Sequence, residues 1–97
     1  MIWDSFRRWI EKRREIRRRW KMEARLLIEL FGPEAYYEAQ RRAARARFGG
    51  DRDGYWHWSK TASEVARLSP DAEMEFVVVE KIVHEEELRS ERTNDFG

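Results

Sequence analysis

The feature that most constrains this chain is an uninterrupted amphipathic pattern over residues 2–31, a stretch with no glycine and no proline. Positions taken alternately four and three residues apart form what we call the apolar stripe: Ile2, Phe6, Trp9, Arg13, Ile16, Trp20, Glu23, Leu27 and Leu30. Seven of these nine positions are apolar, and the spacing is typical of a helix in a coiled coil or a bundle. Gly32 and Pro33 supply an end signal. A helix of this length measures about 43 Å, more than a 97-residue globule spans. We therefore predict that its start projects while Leu27 and Leu30 build the core.

Two further helices are predicted in the middle of the chain. Residues 33–48 open with a proline and an acidic residue and end in arginines, as the helix dipole favours. The inner face of this helix is predicted to consist of small residues, which allow close helix packing: Ala35 or Tyr36, Ala39, Ala43 and Ala46. After a glycine-rich loop, residues 54–68 present apolar side chains at helical spacing: Tyr55, Trp58, Ala62, Val65 and Leu68.

The fourth segment, residues 70–90, is acidic and is also predicted to be helical. Ser69 is the expected N-cap. The apolar positions expected on its inner side are Met74, Val78 and Ile82, followed by Glu85 or Leu88. Residues 76–79 have strand propensity, but no second run alternates at period two to pair with them. Residues 91–97 are expected to fray. The sequence thus predicts one all-α domain over residues 1–97, a three- to four-helix bundle with a long projecting N-terminal amphipathic helix.

Charge is strongly polarised along the chain, although the net charge is only +1. Residues 1–21 hold nine basic and three acidic residues, whereas residues 70–97 hold three basic and nine acidic ones. Residues 22–69 are nearly balanced. Such asymmetry is found in nucleic-acid-binding arms and acidic tails. The alternative is that the two ends neutralise each other, within one molecule or between two copies.

The middle of the chain resembles a known group of proteins. Residues 24–68 contain the segments LLIELFGPEAYYEAQRRA and GGDRDGYWHW. The features that carry the resemblance are a Leu-rich helix followed by Gly32, Ala35, Ala39, Gly50, Asp51, Gly54 and Trp58. On these features this part of the chain resembles a group of short, uncharacterised helical proteins of alphaproteobacteria. The resemblance implies a bacterial helical bundle and no particular activity, and the basic start and acidic end lie outside it.

Several protein classes are disfavoured by composition. The chain has no cysteine, which removes disulfides, thiolate metal sites and thiol nucleophiles. The longest apolar run, residues 76–79, is far shorter than a membrane span of about 20 residues. Asp4, Arg7 and Arg8 interrupt what would be the apolar region of a signal peptide. We therefore expect a cytoplasmic protein.

No set of residues predicts catalysis or a metal site. Asp51 and Asp53 resemble the start of a calcium loop, but the position that requires glutamate is Ala62. We interpret this segment as an interhelical turn with an aspartate N-cap. A second set shares one face of the acidic segment: Glu80, His84 and Glu87. It lacks the further acidic residues and second histidine that a helical metal site needs, so we interpret it as a solvated face. We expect no enzyme activity, metal, cofactor or small-molecule substrate.

The basic start of the chain is the strongest functional indication. Nine cations fall within fifteen residues: Arg7, Arg8, Lys12, Arg13, Arg14, Arg17, Arg18, Arg19 and Lys21. Arginine favours bidentate contact with phosphate or carboxylate groups. One interpretation is contact with nucleic-acid phosphates, for which the candidates are Arg7, Arg8, Arg14, Arg17, Arg18 and Lys21. A helix lying in a membrane surface is a less favoured interpretation. The third is a helix that buries its apolar stripe on a protein.

We favour the protein–protein interpretation because Arg13 and Glu23 lie inside the apolar stripe. In an antiparallel pair of first helices whose paired residue numbers sum to 36, Arg13 meets Glu23 and Trp9 meets Leu27. The predicted partner-binding residues are Ile2, Trp3, Phe6, Trp9, Ile10, Arg13, Ile16, Trp20 and Trp56. Trp56 is included because exposed tryptophan is over-represented in binding hot spots. The predicted function is a small non-enzymatic interaction module, adaptor or inhibitor-like, that binds a protein partner or forms a homodimer. The alternative is a nucleic-acid-associated protein.

Overall fold

The computed structural model describes residues 2–95, which fold into four α-helices joined by short turns. The helices are α1 (Ile2–Phe31), α2 (Ala35–Phe48), α3 (Arg52–Leu68) and α4 (Phe76–Asp95). A 3-10 turn at Gly32–Glu34 joins α1 to α2, so Pro33 lies in this turn rather than in the predicted second helix. No strand occurs in the described residues, and the predicted all-α bundle is confirmed. None of these helices is long and apolar enough to cross a membrane.

The central element of the fold is α2, because each of the other three helices packs against it. Its buried residues are all alanines: Ala35, Ala39, Ala43 and Ala44. Ala46, predicted to face inward, is only partly buried. Small side chains let helix axes approach closely, which explains how one 14-residue helix can serve three neighbours. The resulting molecule is flat, with principal extents of 49 × 39 × 20 Å.

The hydrophobic core lies where α1, α2 and α3 meet. Its fully or almost fully buried members are Ala24, Leu27, Ala35, Ala39, Ala62 and Val65. Trp58 and Leu68 pack against this cluster as predicted. Tyr55, predicted on the same face of α3, is exposed: it points within about 20° of the buried Ala62 but lies about two turns nearer the start of the helix. Thr61 takes an inward position instead, and its hydroxyl donates to the His57 carbonyl at 2.8 Å.

Leu30 lies outside the core, contrary to the prediction. Its side chain is 65% exposed, whereas Leu27 is completely buried. A strict repeat of 3.5 residues per turn drifts by about 20° per heptad on a straight helix. Over the 28 residues from Ile2 to Leu30 the drift reaches about 80°, which carries Leu30 off the packed side of α1.

The turn between α2 and α3 agrees with its interpretation as an aspartate-capped loop. Asp51 is the N-cap of α3, and its carboxylate accepts a hydrogen bond from the Gly54 backbone N–H at 2.9 Å. Gly50 has a φ of 76°, a left-handed conformation that glycine adopts without steric cost. The cap starts α3 at Arg52, two residues before the predicted boundary.

The fourth helix begins later and continues further than predicted. Ser69 is not its N-cap; its backbone N–H donates to Val65 and closes α3. Residues 70–75 stay non-helical because tertiary contacts hold them: the Glu73 N–H donates to the Pro33 carbonyl and the Glu75 N–H to the Tyr37 hydroxyl, both at 2.9 Å. Met74 is consequently exposed and outside the helix. The predicted fraying of residues 91–97 is wrong for 91–95, which are helical, while residues 96 and 97 lie outside the described part.

A buried carboxylate fastens α4 to α2. Glu86 is 3% exposed and accepts hydrogen bonds from Arg45 at 3.0 Å and Arg41 at 3.3 Å. Arg41 also pairs with Glu85 at 2.8 Å. Burial acts to raise the pKa of Glu86, but the hydrogen bonds from Arg45 and Arg41 outweigh it, so the net pKa is lowered. Beside this network, Ile82 is the buried apolar contact of α4.

Replacing Glu86 by alanine is expected to lower the free energy of unfolding by about 2 kcal/mol, because two arginines lose their buried acceptor. The neighbouring Glu87 is exposed and forms no salt bridge within the described residues. Glu87→Ala is therefore the matched control, expected to stay within about 0.5 kcal/mol of the wild type. Urea denaturation of the three proteins measures the difference, and equal midpoints for both variants would contradict the proposed fastening of α4.

Candidate functional site

The start of α1 projects beyond the bundle, as predicted. Every residue from 2 to 19 is exposed except the partly buried Ile10. The first contact with α3 is a shallow groove in which Ile16 and Trp20 lie beside Trp56. We call residues 2–21 the arm; most of its length extends away from the other helices.

The arm carries the same helix face that α1 uses to build the core. Residues 18 positions apart point in the same direction, because 18 residues make five whole turns. The pairs related in this way are Phe6 with Ala24, Trp9 with Leu27, and Ile10 with Ile28. The second member of each pair packs in or against the core. The first member of each pair has no other helix packed against it in the described part of the chain.

Eight of the predicted partner-binding residues share this side of the arm. At 100° per residue they fall within an arc of about 140°, and we call them the arm face: Ile2, Trp3, Phe6, Trp9, Ile10, Arg13, Ile16 and Trp20. Ile2 and Trp3 are 87% and 78% exposed, and Phe6 and Trp9 are both 52% exposed. The rings of Phe6 and Trp9 stack with their centroids 6.1 Å apart, and the Arg13 guanidinium lies 4.5 Å from the Trp9 ring centroid. The result is one continuous aromatic surface with a cation in it.

The ninth predicted residue, Trp56, joins this surface from α3. It lines a groove of about 330 Å³ with α1 residues of the arm face. The Lys60 ammonium lies 4.5 Å from the Trp56 ring centroid, a cation–π contact. Lys60 was not among the predicted residues, although its position four residues after Trp56 places both on one side of a helix. Cation–π contacts therefore occur on both sides of this groove, between Arg13 and Trp9 on the arm and between Lys60 and Trp56 on α3.

Five of the six predicted phosphate-binding residues fall within an arc of about 100° on one side of the arm, and Arg8 lies apart from them. Arg17 lies within the arc of the arm face, Lys21 points in the same direction as Trp3 at the edge of that face, and Arg8 lies on one flank of the arm. The other flank carries Arg7, Arg14 and Arg18. A row of carboxylates runs along the back between the two flanks: Asp4, Glu11 and Glu15. Among the side chains of residues 2–93, no carboxylate lies within 4.0 Å of any of the nine arm cations.

Comparisons of this chain with protein-family models, with curated proteins and with solved structures find no match. The resemblance of residues 24–68 to alphaproteobacterial helical proteins stays a prediction. The function of the arm must therefore be inferred from its own side chains. It has an apolar face whose burial is favourable, flanked by arginines that can bind carboxylate or phosphate groups.

A histidine lies where α3 packs on the base of the arm. His57 is partly buried, and burial lowers the pKa of its imidazole. The Glu23 carboxylate of α1 partly opposes this effect, and the Arg19 guanidinium adds to it. The neutral imidazole is therefore the form that suits the folded chain.

The free energy of unfolding is expected to fall as the pH drops below about 6.5, the usual pKa of histidine. The free energy of unfolding falls because the histidine pKa is higher in the unfolded chain, which therefore binds the proton first as the pH drops. Above this range the stabilisation is fully present. Chemical denaturation at pH 7.5 and pH 5.5 measures the loss, and His57→Gln should reduce it. A variant that loses as much stability as the wild type would contradict the assignment to His57.

Proposed function

We propose that this chain is a small non-enzymatic protein–protein interaction module, adaptor or inhibitor-like, that binds its partner through the arm face. The observation that supports this proposal is that residues of the arm point in the same direction as core residues of α1 that lie 18 positions, or five turns, later. Phe6, Trp9 and Ile10 continue the side of the helix that packs the core, yet Phe6 and Trp9 remain half exposed. Exposed aromatic clusters of this kind mark interaction sites more often than scattered apolar residues do.

A helix in a groove is the recognition mode that fits this arm. Amphipathic helices bury anchors spaced three, four or seven residues apart in a partner, and Phe6, Trp9 and Ile16 have spacings of three and seven. Aromatic and arginine side chains dominate binding hot spots, and the arm face combines both. The arm also extends clear of the bundle, so a partner can reach the face without displacing α2 or α3.

The test uses two alanine substitutions, one on the arm face and one outside it. Trp9→Ala removes half-exposed apolar surface from the arm face, and Leu26→Ala removes a similarly exposed side chain, at 47%, from outside this face. A partner identified by co-purification from the native host is then bound directly by each purified chain. We expect Trp9→Ala to lose binding and Leu26→Ala to keep it. Equal binding by all three proteins would contradict the proposal.

Nucleic-acid binding through the arginines is the alternative, and it is favoured because the nine arm cations form no salt bridge with the side chains that the structure describes. The carboxylates of Asp4, Glu11 and Glu15 weaken it, because they lie between the two basic flanks. A salt titration with random duplex and single-stranded DNA separates the two functions. Tight binding with a steep salt dependence supports the alternative, whereas absence of binding at low salt removes it.

A further inference from the structure

α4 carries a second surface against which no other described element packs. Seven of its residues point away from α2 and fall within an arc of about 120° at 100° per residue. We call them the acidic face: Phe76, Val77, Glu80, His84, Glu87, Leu88 and Glu91. All seven are exposed, and none of the three carboxylates is in a salt bridge among residues 2–95. α4 therefore offers carboxylates interleaved with large apolar side chains.

The two charged ends of the chain do not neutralise each other within one molecule. The backbone of α4 packs on α2 and approaches neither α1 nor α3 among the described elements, although Phe31 at the end of α1 lines a groove with Val78 and Ile82. The buried Glu86 of α4 pairs with Arg41 and Arg45 of α2, and not with the arm. The arm cations and the outer carboxylates of α4 are both left facing solvent. Neutralisation within one molecule is therefore not found among the described residues, whereas neutralisation between copies is compatible with the structure.

The arginines of the arm face require that a partner covering this face contain carboxylates. Arg13 lies against the Trp9 ring in the middle of the face, and Arg17 points within about 40° of Arg13. A wholly apolar partner would strip water from these guanidinium groups and give them no counter-charge, which is unfavourable. A suitable partner needs carboxylates among its apolar residues. The acidic face has this composition.

A pairing of two arms meets this requirement poorly. It would bring nine cations and only three acidic residues from each copy together, and like charges at an interface are strongly disfavoured. The antiparallel register with paired numbers summing to 36 is also wrong. It requires Leu27 at the contact, and Leu27 is completely buried between α1, α2 and α3.

We infer that the arm face is covered by a second copy of this chain, bound through the acidic face of its α4. The inference rests on the proposed function and names its partner. Arm and acidic face are different surfaces. Two copies that exchange arms reciprocally close into a symmetric, isologous dimer, whereas head-to-tail contacts that do not close extend into a chain. Arginine–glutamate pairs then neutralise the two ends, and the aromatic residues of the arm pack on Phe76, Val77 and Leu88.

The test is a mixture of two chains, each disabled on one surface. The arm-blocked chain carries Phe6→Ala and Trp9→Ala; the α4-blocked chain carries Glu80→Lys and Glu87→Lys. Each alone should self-associate at least about 100-fold more weakly than the wild type, as loss of hot-spot contacts predicts. Mixed in equal amounts, they should form a complex of two chains, twice 11.9 kDa, because one supplies an intact arm and the other an intact acidic face. Native mass spectrometry at low salt measures the masses.

A control chain with Glu29→Lys and Glu34→Lys changes net charge equally at exposed positions away from both surfaces and should associate like the wild type. Circular dichroism and urea denaturation establish that every variant is folded. Self-association of a folded α4-blocked chain at wild-type strength would indicate arm–arm pairing and overturn the inference, as would a mixture that stays monomeric. A monomeric wild type at low salt also overturns it, but leaves the proposed function to the comparison of Trp9→Ala with Leu26→Ala.

Discussion

Alanine in place of Trp9 is expected to weaken binding of the arm to its partner about 100-fold while leaving the free energy of unfolding nearly unchanged. Large hot-spot effects of this kind come from aromatic anchors at the centre of an interface, and Trp9 is central in the arm face, stacked on Phe6 and covered by Arg13. Half of the side chain is already exposed in the free chain, so folding loses little. The measurement is a titration of the α4-blocked chain, with and without Trp9→Ala, onto the arm-blocked chain.

Leu26→Ala in the same α4-blocked chain is the control for this titration. Its side chain is similarly exposed but points about 100° away from Trp9 around α1, outside the arm face. Equal weakening by both substitutions would mean that association depends on the whole helix surface. A Trp9→Ala chain that binds as tightly as its parent would exclude the arm face.

Alanine in place of Leu27 is expected to lower the free energy of unfolding by about 3 kcal/mol, the usual cost of opening a cavity in a packed core. Leu27 is completely buried and is the largest side chain with that degree of burial. Leu30→Ala removes the same atoms from a side chain that is 65% exposed, and its expected cost is below about 1 kcal/mol. Chemical denaturation of the two variants compares them directly.

This pair also tests the phase of the long helix. If Leu30→Ala destabilised the chain as much as Leu27→Ala, the packed side of α1 would follow the heptad spacing rather than the 3.6-residue turn. Similar small effects from both substitutions would contradict a core built where α1 meets α2 and α3.

Local sequence signals were sufficient to predict much of the fold. The absence of glycine and proline from residues 2–31 set the length of α1, and Asp51 set the turn before α3 through a hydrogen bond to a residue three positions away. The prediction that Ser69 caps the fourth helix is wrong because contacts distant in sequence decide the structure there. The segment after Ser69 is held by the Pro33 carbonyl and the Tyr37 hydroxyl, and such distant partners leave no trace in local spacing.

The candidate site was predictable where helix periodicity alone decides it. The spacing of Phe6, Trp9 and Ile16 was enough to place them on one side of the arm. Leu30 was placed wrongly because a heptad count accumulates rotation over four repeats. The separation of α4 from α1 could not be predicted, since it depends on Arg41 and Arg45 of α2 holding Glu86. Opposite charge alone would have paired the two ends within one molecule.

The most direct test of arm binding to a second copy is the mass of the unmodified chain in solution. Sedimentation equilibrium at tens of micromolar protein gives this mass at low salt and again at about 0.5 M salt. The difference between the two masses shows how much of the association is electrostatic. We expect a mass above 11.9 kDa at low salt that falls toward the monomer mass as salt rises, because salt screens the Arg–Glu pairs. A monomer mass at every concentration and salt would contradict it.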